Sequence, residues 1–186
     1  MNTSSWKWFR YDEIFDIRKG KRLTKENMTE GSIRYIGAID SNNGLSAYIG
    51  NDSQLHQGNT ISVSYNGSIG FAFYQEKEFW ATDDVNVLYP KFKMSRFIAL
   101  FLCPIINKIG SNYAYIDKWT ANKMRISKIL LPATPAGEPD WRYMEMYMRG
   151  VEAIAKEKIA LLTKKKQEPV QQTSITNYGT VNIYEK

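Results

Sequence analysis

The sequence contains very little cysteine and histidine, and this scarcity removes whole classes of chemistry. Its one cysteine, Cys103, cannot form a disulfide within the chain, and its one histidine, His56, cannot supply a paired-histidine zinc site. No apolar run approaches the roughly 20 residues that a membrane-spanning helix needs. Residues 1–5 show no basic region leading into an apolar stretch. We therefore expect no signal peptide, no membrane partner and a cytoplasmic location.

The composition is that of a folded protein with a moderate excess of positive charge. Of the 186 residues, 43% are hydrophobic, which is enough to fill the core of one domain with an appendage. Lys and Arg outnumber Asp and Glu by 25 to 19, giving a net charge of +6. Three clusters contain basic residues and no acid: Arg18, Lys19, Lys21, Arg22 and Lys25; Lys118, Lys123, Arg125 and Lys128; and Lys164–Lys166. One such cluster is equally well a solvated surface, but three together favour nucleic acid as a partner.

Residues 6–92 have the pattern of a β-rich domain. Short runs rich in β-branched residues predict strands at Ile33–Ile36, Thr60–Tyr65 and Val85–Tyr89. The Asn66-Gly67 pair separates Thr60–Tyr65 from Ile69–Tyr74. Because Asn and Gly tolerate the positive φ of a tight turn, we predict that these two runs form a hairpin.

Helical patterns follow the strands. Ser95 is placed to cap a helix that ends near Ile109. The spacing predicts that one face of this helix is buried, formed by Phe97, Leu100, Phe101, Ile105 and Ile109. Cys103 lies in the same helix and is interpreted as a small buried hydrophobe. Thr120 is placed to cap a short helix that leads into a buried strand at Ile129–Leu131.

A segment rich in proline divides the chain. We predict a domain at 1–132, a stiff linker at 133–139, a long helix at 140–168 and a polar tail at 169–186 with a stray strand at Val181–Tyr184. The helix, capped by Asp140, would be about 40 Å long. Its apolar residues form one stripe: Met144, Met148, Val151, Ala155, Ile159 and Leu162. We expect another helix to cover this stripe as a coiled coil, and the alternative is that the helix folds back on its own domain.

The motifs of the common nucleic-acid enzymes are missing. No lysine has Asp or Glu two positions before it, as the PD-(D/E)-x-K nucleases require. The sequence also lacks the Asn/Asp-Pro-Pro-aromatic loop of adenine methyltransferases and a glycine-rich phosphate loop. We therefore predict no catalytic residue, no metal site and no bound cofactor.

With these motifs absent, the candidate functional features of the sequence are its basic and polar loops. Proteins that read DNA hold phosphates with cations and read base edges with amides and hydroxyls. We expect phosphate contacts from Arg18, Lys19, Lys21, Arg22, Lys118 and Lys123. We expect base contacts from Asn42, Asn43, Tyr65, Asn66 and Ser68. Each of these loops also has a plain interpretation as turn chemistry.

Several segments, taken in order, resemble the target recognition domains of restriction–modification specificity subunits. The similarity begins with Trp8–Arg22, continues through Gly58–Val63, Asn66–Gly70 and Phe79–Thr82, and extends through the helices to residue 167. Many relatives carry a glutamine-containing segment where this chain has Gly137–Trp141. That variant is similar to the BcgI-like Type IIB specificity subunits, which leaves both Type I and Type IIB open.

The resemblance implies an α+β fold, in which a mixed β-rich target recognition domain precedes a long coiled-coil-type helix that serves as spacer and dimerisation element. It implies double-stranded DNA as ligand and, as partners, a methyltransferase subunit that carries S-adenosylmethionine and in some systems a restriction subunit. Complete Type I subunits carry two such domains, so we expect this chain to form a homodimer through its helix on a bipartite site. The alternative from another class is a carbohydrate-binding β-module with exposed Trp and Tyr as platforms. DNA binding would fall steeply with salt, and sugar binding would not.

Overall fold

The computed structural model describes residues 3–167, except for the side chains of 164–167. Nine strands and four α-helices occur in this range. The strands are β1 (Trp6–Arg10), β2 (Phe15–Lys19), β3 (Ile33–Ile36), β4 (Leu45–Ile49), β5 (Thr60–Ser64), β6 (Ala72–Gln75), β7 (Phe79–Ala81), β8 (Val85–Pro90) and β9 (Lys128–Pro132). The helices are α1 (Tyr11–Ile14), α2 (Arg96–Gly110), α3 (Ala121–Ile126) and α4 (Trp141–Gln167). None of these helices is long and apolar enough to span a bilayer.

The strands form three small sheets. The largest has the order β2-β8-β5-β6 and is antiparallel throughout. A second sheet, β4-β3-β7, mixes an antiparallel pair with a parallel one, and β1 pairs with β9 in a third. Mixed sheets together with segregated helices confirm the predicted α+β class.

The local signals in the sequence predicted most elements correctly. β5 and β6 form the expected hairpin, with Thr60 opposite Gln75 and Val63 opposite Ala72. Three predicted caps are present. The side-chain oxygens of Ser95, Thr120 and Asp140 accept hydrogen bonds from the backbone N–H of Ile98, Lys123 and Tyr143, at the starts of α2, α3 and α4. Each cap satisfies a donor that the first turn of a helix leaves free.

The buried face of α2 differs from the predicted one. Ile98, Leu102 and Ile106 are at most 2% exposed, whereas Phe97, Leu100, Ile105 and Ile109 are only partly buried and Phe101 alone of the predicted set is in the core. The helix is apolar on most of its surface, so spacing alone does not select a face. Tertiary contacts select it: Asn107 Oδ1 accepts a hydrogen bond from Ala72 N on β6 at 2.7 Å. A Cβ on Gly110 would lie 2.2 Å from the Cα of Gly70, so both glycines are needed for this close packing.

Cys103 is buried in α2, as predicted. Burial in apolar surroundings raises the pKa of its thiol to about 12, so the thiolate is scarce at neutral pH. The side chain therefore acts as a small core hydrophobe and not as a nucleophile.

The start of α4 packs on the same core as α2. Met144 is fully buried, and Met148 is partly buried against the same cluster. Trp141 stacks on Phe92 at 3.7 Å between ring centroids, and Tyr147 meets Phe101 edge-on at 5.8 Å. The prediction that the whole stripe lacks a cover within the chain is therefore wrong for Met144 and Met148. Their own domain covers them because the first turns of the helix fold back on it.

The chain divides into two compact units, Met1–Gly150 and the part that begins at Val151. The sequence instead suggested a break at the linker 133–139. Those residues form a closed turn, in which Thr134 N donates to Glu138 O at 2.8 Å and Asp140 N donates to Pro132 O at 2.8 Å. Of the second unit, the structure describes the helix from Val151 to Gln167. The predicted tail 169–186 and the strand at Val181–Tyr184 lie outside the described residues.

The docking of α4 gives a stability prediction. Met144→Ala is expected to lower the free energy of unfolding by about 2–5 kcal/mol, because truncation of a buried methionine leaves a cavity. Met146→Ala, two positions away on the same helix, removes the same atoms from a side chain that is 62% exposed and should change stability by less than about 0.5 kcal/mol. Urea denaturation of both variants measures the difference. A loss of unfolding free energy for Met144→Ala as small as that for Met146→Ala would mean that the helix start does not pack on the core.

Candidate nucleic-acid interface

The first basic cluster begins on β2 and continues into the loop after it. A Cβ on Gly20 would lie 2.2 Å from the carbonyl oxygen of Thr82, so only glycine lets this segment run so close to the turn between β7 and β8. Gly20 N donates to Val85 O and Lys21 N donates to Ala81 O, both at 2.9 Å. The backbone of the cluster is therefore fixed, while the side chains of Arg18, Lys19, Lys21 and Arg22 are exposed.

Alternation along β2 sends Arg18 and Lys19 to opposite faces of the sheet. The Arg18 guanidinium lies 4.2 Å from the centre of the Tyr89 ring, and its hydrogen bond to Asp16 is the main cause of its raised pKa. Lys19 Nζ lies 5.4 Å from the centre of the Tyr65 ring, and hydrogen bonding to Tyr65 is the main cause of the raised pKa of Lys19. Both side chains are therefore cations at neutral pH and are oriented by aromatic rings.

A cleft of about 290 Å³ lies beside this cluster, and we call it the basic cleft. Its lining is formed by Arg18, Lys19, Lys21, Ser53, Gln54, Leu55, His56 and Tyr89. His56 Nδ1 lies 2.9 Å from the Tyr89 hydroxyl. Burial, and then the charge of Arg18, lower the pKa of His56 below its ordinary value. His56 is thus neutral at pH 7 and orients Tyr89, and the positive charge of the cleft comes from Arg18, Lys19 and Lys21.

A second depression, of about 200 Å³, opens on the other side of Lys19. Lys19, Tyr65, Asn86, Thr120, Ala121 and Asn122 line it. Lys19 and Asn86 are direct cross-strand partners on β2 and β8. The structure thus brings Lys19, Tyr65 and the start of α3 together, although they are far apart in the sequence.

The amides predicted to read bases are largely engaged in holding turns. Asn42 and Asn43, at positive φ in a tight turn, donate from Nδ2 to the backbone oxygens of Leu45 and Tyr74, each at 3.0 Å. Asn66 Nδ2 donates to Asp84 Oδ1 at 2.8 Å. Asn43 also lines a separate cavity with Arg34 and Arg96, away from the basic cleft. The turn interpretation therefore accounts for all three amide donors.

The other residues predicted to contact DNA are Tyr65, Ser68, Lys118 and Lys123, and each has a partner within the chain. The Tyr65 hydroxyl donates to the carbonyl oxygen of Asp83 at 2.7 Å, and Ser68 N donates to the carbonyl oxygen of Ala38. Lys123 forms an ion pair with Asp117, and Lys118 lies 4.6 Å from the centre of the Tyr115 ring. Lys123 is thus partly neutralised, as Arg18 of the first cluster is by its ion pair with Asp16 at 2.8 Å.

No group of His, Cys, Asp and Glu within residues 3–167 could hold a metal ion. Asp83 and Asp84 are adjacent acids in the turn between β7 and β8. Asp84 accepts the hydrogen bond from Asn66, and Asp83 accepts one from the hydroxyl of Thr82 at 3.1 Å. These acids therefore shape the turn that meets Gly20.

Comparison with known proteins extends over nearly the whole described chain. A family model described as the Type I restriction modification DNA specificity domain matches residues 3–164. The Type II restriction enzyme BgcI specificity subunit S.BcgI of Heyndrickxia coagulans is 40% identical over 149 residues, a match that covers 80% of this chain and 44% of that protein. This relative confirms the similarity to BcgI-like subunits, and nothing in the comparisons supports the carbohydrate-binding alternative.

Solved structures show the same fold. The S subunit of a Type I restriction-modification system from M. genitalium superposes with a TM-score of 0.64 at 18% identity over 88% of this chain and 43% of its own. The HsdS subunit from Thermoanaerobacter tengcongensis gives 0.57 at 15% identity over 91% of this chain and 42% of its own. The chain spans less than half the length of each of these relatives. On the match to residues 3–164, this chain belongs to the family of Type I restriction modification DNA specificity domains.

Proposed function

We propose that this chain reads one part of a bipartite double-stranded DNA target and performs no catalysis itself. The observation that carries the proposal is the row of four exposed cations, Arg18, Lys19, Lys21 and Arg22, fixed by the backbone at one end of the sheet in a DNA specificity domain. Fixed cations at a strand end suit phosphates, whose spacing along a duplex is regular. The neighbouring basic cleft supplies polar groups for the base edges between those phosphates.

The chemistry on the DNA would belong to partners. We propose that a methyltransferase subunit binds S-adenosylmethionine and methylates the site that this chain selects, and that a restriction subunit joins in systems that also cleave. The chain itself would need no cofactor and would act in the cytoplasm, where the DNA is. The relative from Heyndrickxia coagulans supports this division of labour, since its name describes a specificity subunit of a restriction enzyme.

We further propose that two copies of the chain pair through the second half of α4. Val151, Ile154, Ile159, Leu161 and Leu162 are between 41% and 66% exposed. Val151, Ala155, Ile159 and Leu162 recur at spacings of four and three residues, and Ile154 and Leu161 flank them. Such a stripe is of the kind that antiparallel or parallel helices bury against each other. Ala155 lies within the same stripe and is exposed. A pair with two-fold symmetry would require a palindromic target divided by bases that neither copy reads.

The charge proposal is tested by replacing Lys21 and Arg22 with alanine. Affinity should fall for every DNA sequence, and the slope of log K against log salt should become shallower by about one to two, at about 0.9 for each phosphate that the chain no longer neutralises. Fluorescence anisotropy on a random-sequence duplex at several salt concentrations measures both. The matched control replaces Lys77 and Lys93, which are exposed and follow β6 and β8 at the opposite end of the four-stranded sheet. If the control lowers the slope as much, the first cluster is not the interface.

The pairing proposal is tested by Val151→Glu combined with Ile159→Glu. Burying like charges along the stripe should convert a dimer into a monomer while Met1–Gly150 stays folded, because that unit has its own core. Light scattering across a concentration series gives the mass, and circular dichroism reports the fold. The control, Ala153→Glu with Ala160→Glu, places the same charges on the opposite face of α4 and should leave the dimer intact. A monomeric wild-type chain at all concentrations contradicts the proposal.

A further inference from the structure

The loop between β4 and β5 contributes to the basic cleft, and none of its residues was among the DNA contacts predicted from the sequence. Both flanks of its tip are anchored. Asn51 accepts a hydrogen bond from Thr29 N and donates one to Asn27 O, each at 3.0 Å. On the other side, His56 pairs with Phe79 through two backbone hydrogen bonds at 2.8 and 3.1 Å. Between these anchors, Ser53 and Gln54 form an exposed turn.

The anchoring on the His56 side also involves side chains. The imidazole stacks on Phe79 with ring centroids 5.5 Å apart and contacts the Tyr89 hydroxyl, and Leu55 packs on the cluster of Tyr35, Ile49 and Trp80. The tip is therefore held at a fixed position relative to β7 and β8. A residue that reads DNA benefits from such support, because an interaction loses strength when the loop that carries it must be ordered on binding.

Gln54 differs from the asparagines that the sequence pointed to. The donors of Asn42, Asn43 and Asn66 are bonded to Leu45, Tyr74 and Asp84. The Gln54 amide is exposed and makes no hydrogen bond to any residue in the described part of the chain. It can offer both its N–H and its oxygen to a ligand without breaking a contact that the fold uses.

Three cations lie around the same cleft as Gln54. Gln54 lines the basic cleft together with Arg18, Lys19 and Lys21, while the neutral His56 adds no charge. Cations that hold phosphates thus lie beside a free amide, which is the division of labour found in proteins that read sequence. A glutamine amide fits adenine, whose major-groove edge offers an acceptor at N7 and a donor at N6.

We propose that Gln54 is a specificity-determining residue that reads one adenine of the target in the major groove, with Arg18, Lys19 and Lys21 holding the adjacent phosphates. This inference rests on the proposed DNA-binding function and adds the residue and the base that it reads. The anchored tip presents the amide, and the cations set the register of the DNA against it.

The test uses the full chain and a duplex pool with a randomised segment. The bound fraction is sequenced for the wild-type chain and for Gln54→Ala, Gln54→Glu and Gln57→Ala. The wild-type chain should select a motif that contains an adenine whose replacement weakens binding roughly 5- to 150-fold. Gln54→Ala should lose the preference at that base pair alone and keep its affinity for random DNA within about twofold. Gln54→Glu should favour cytosine there, since a carboxylate accepts from cytosine N4.

Gln57→Ala is the matched control, because Gln57 is an exposed glutamine of the same loop that does not line the basic cleft. It should keep the wild-type motif. A wild-type chain that binds DNA with no preferred motif contradicts the proposed function itself. An unchanged motif in Gln54→Ala, a loss of affinity for all sequences alike, or a lost preference for a base other than adenine overturns the assignment of Gln54 while leaving the proposed function standing. Thermal denaturation of each variant verifies that the fold is retained.

Discussion

The close approach of the backbone at Gly20 to the turn between β7 and β8 determines where the charge of this protein lies. The carbonyl oxygens of Ala81 and Thr82 would lie 2.6 and 2.2 Å from a Cβ at this position, so any other residue would push the strand end outward. Two backbone hydrogen bonds and the bond from the Trp80 indole to Lys21 O keep the segment in place. Backbone contacts thus position the cations on either side of Gly20, and the proposed phosphate contacts would not disturb these backbone bonds.

The same turn shows how the fold and the readout divide the polar residues between them. Tyr65 donates to the backbone oxygen of Asp83, Asn66 to the carboxylate of Asp84 and Thr82 to the carboxylate of Asp83. Tight turns leave backbone and side-chain groups that need such partners. A side chain committed in this way must give up a hydrogen bond before it can read a base. Gln54 has no such commitment among the described residues, since its loop is anchored by Asn51 and His56 instead. Under the proposal that Gln54 reads a base, anchoring by one residue and reading by another would permit the reading residue to change without loss of the fold.

How much of this could be predicted from the sequence depends on how local each signal is. The caps at Ser95, Thr120 and Asp140 and the hairpin at Asn66-Gly67 were predicted, because the residues that determine them are adjacent in the chain. The buried face of α2 was not, since its orientation is set by Asn107 and Ala72, which lie 35 positions apart. The basic cleft could be predicted only in part: the cations of β2 form a visible cluster, but the contribution of Gln54 arises from pairings between Phe79 and His56 and between β2 and β8 that no spacing reveals. The resemblance to a known family indicated the proposed DNA-binding function. It could do so because members of one family share a three-dimensional arrangement, which appears in the sequence only as segments in a fixed order.

The apolar stripe of helix α4 lies in two different environments. The stripe from Met144 to Leu162 is continuous in the sequence, yet Met144 is fully buried in the core of the first unit while Leu162 is 66% exposed. The change occurs at Gly150, the last residue of the first unit, where a helix-weakening glycine stands in an otherwise favourable sequence. Before that point the apolar residues stabilise the domain, and their replacement would be felt as a loss of folding free energy. Beyond it the same residue types are exposed, from 41% at Val151 to 66% at Leu162, and the proposed pairing of two helices would bury them. A stripe read from sequence therefore gives the total apolar surface of a helix, and the tertiary structure decides how much of that surface the domain itself buries.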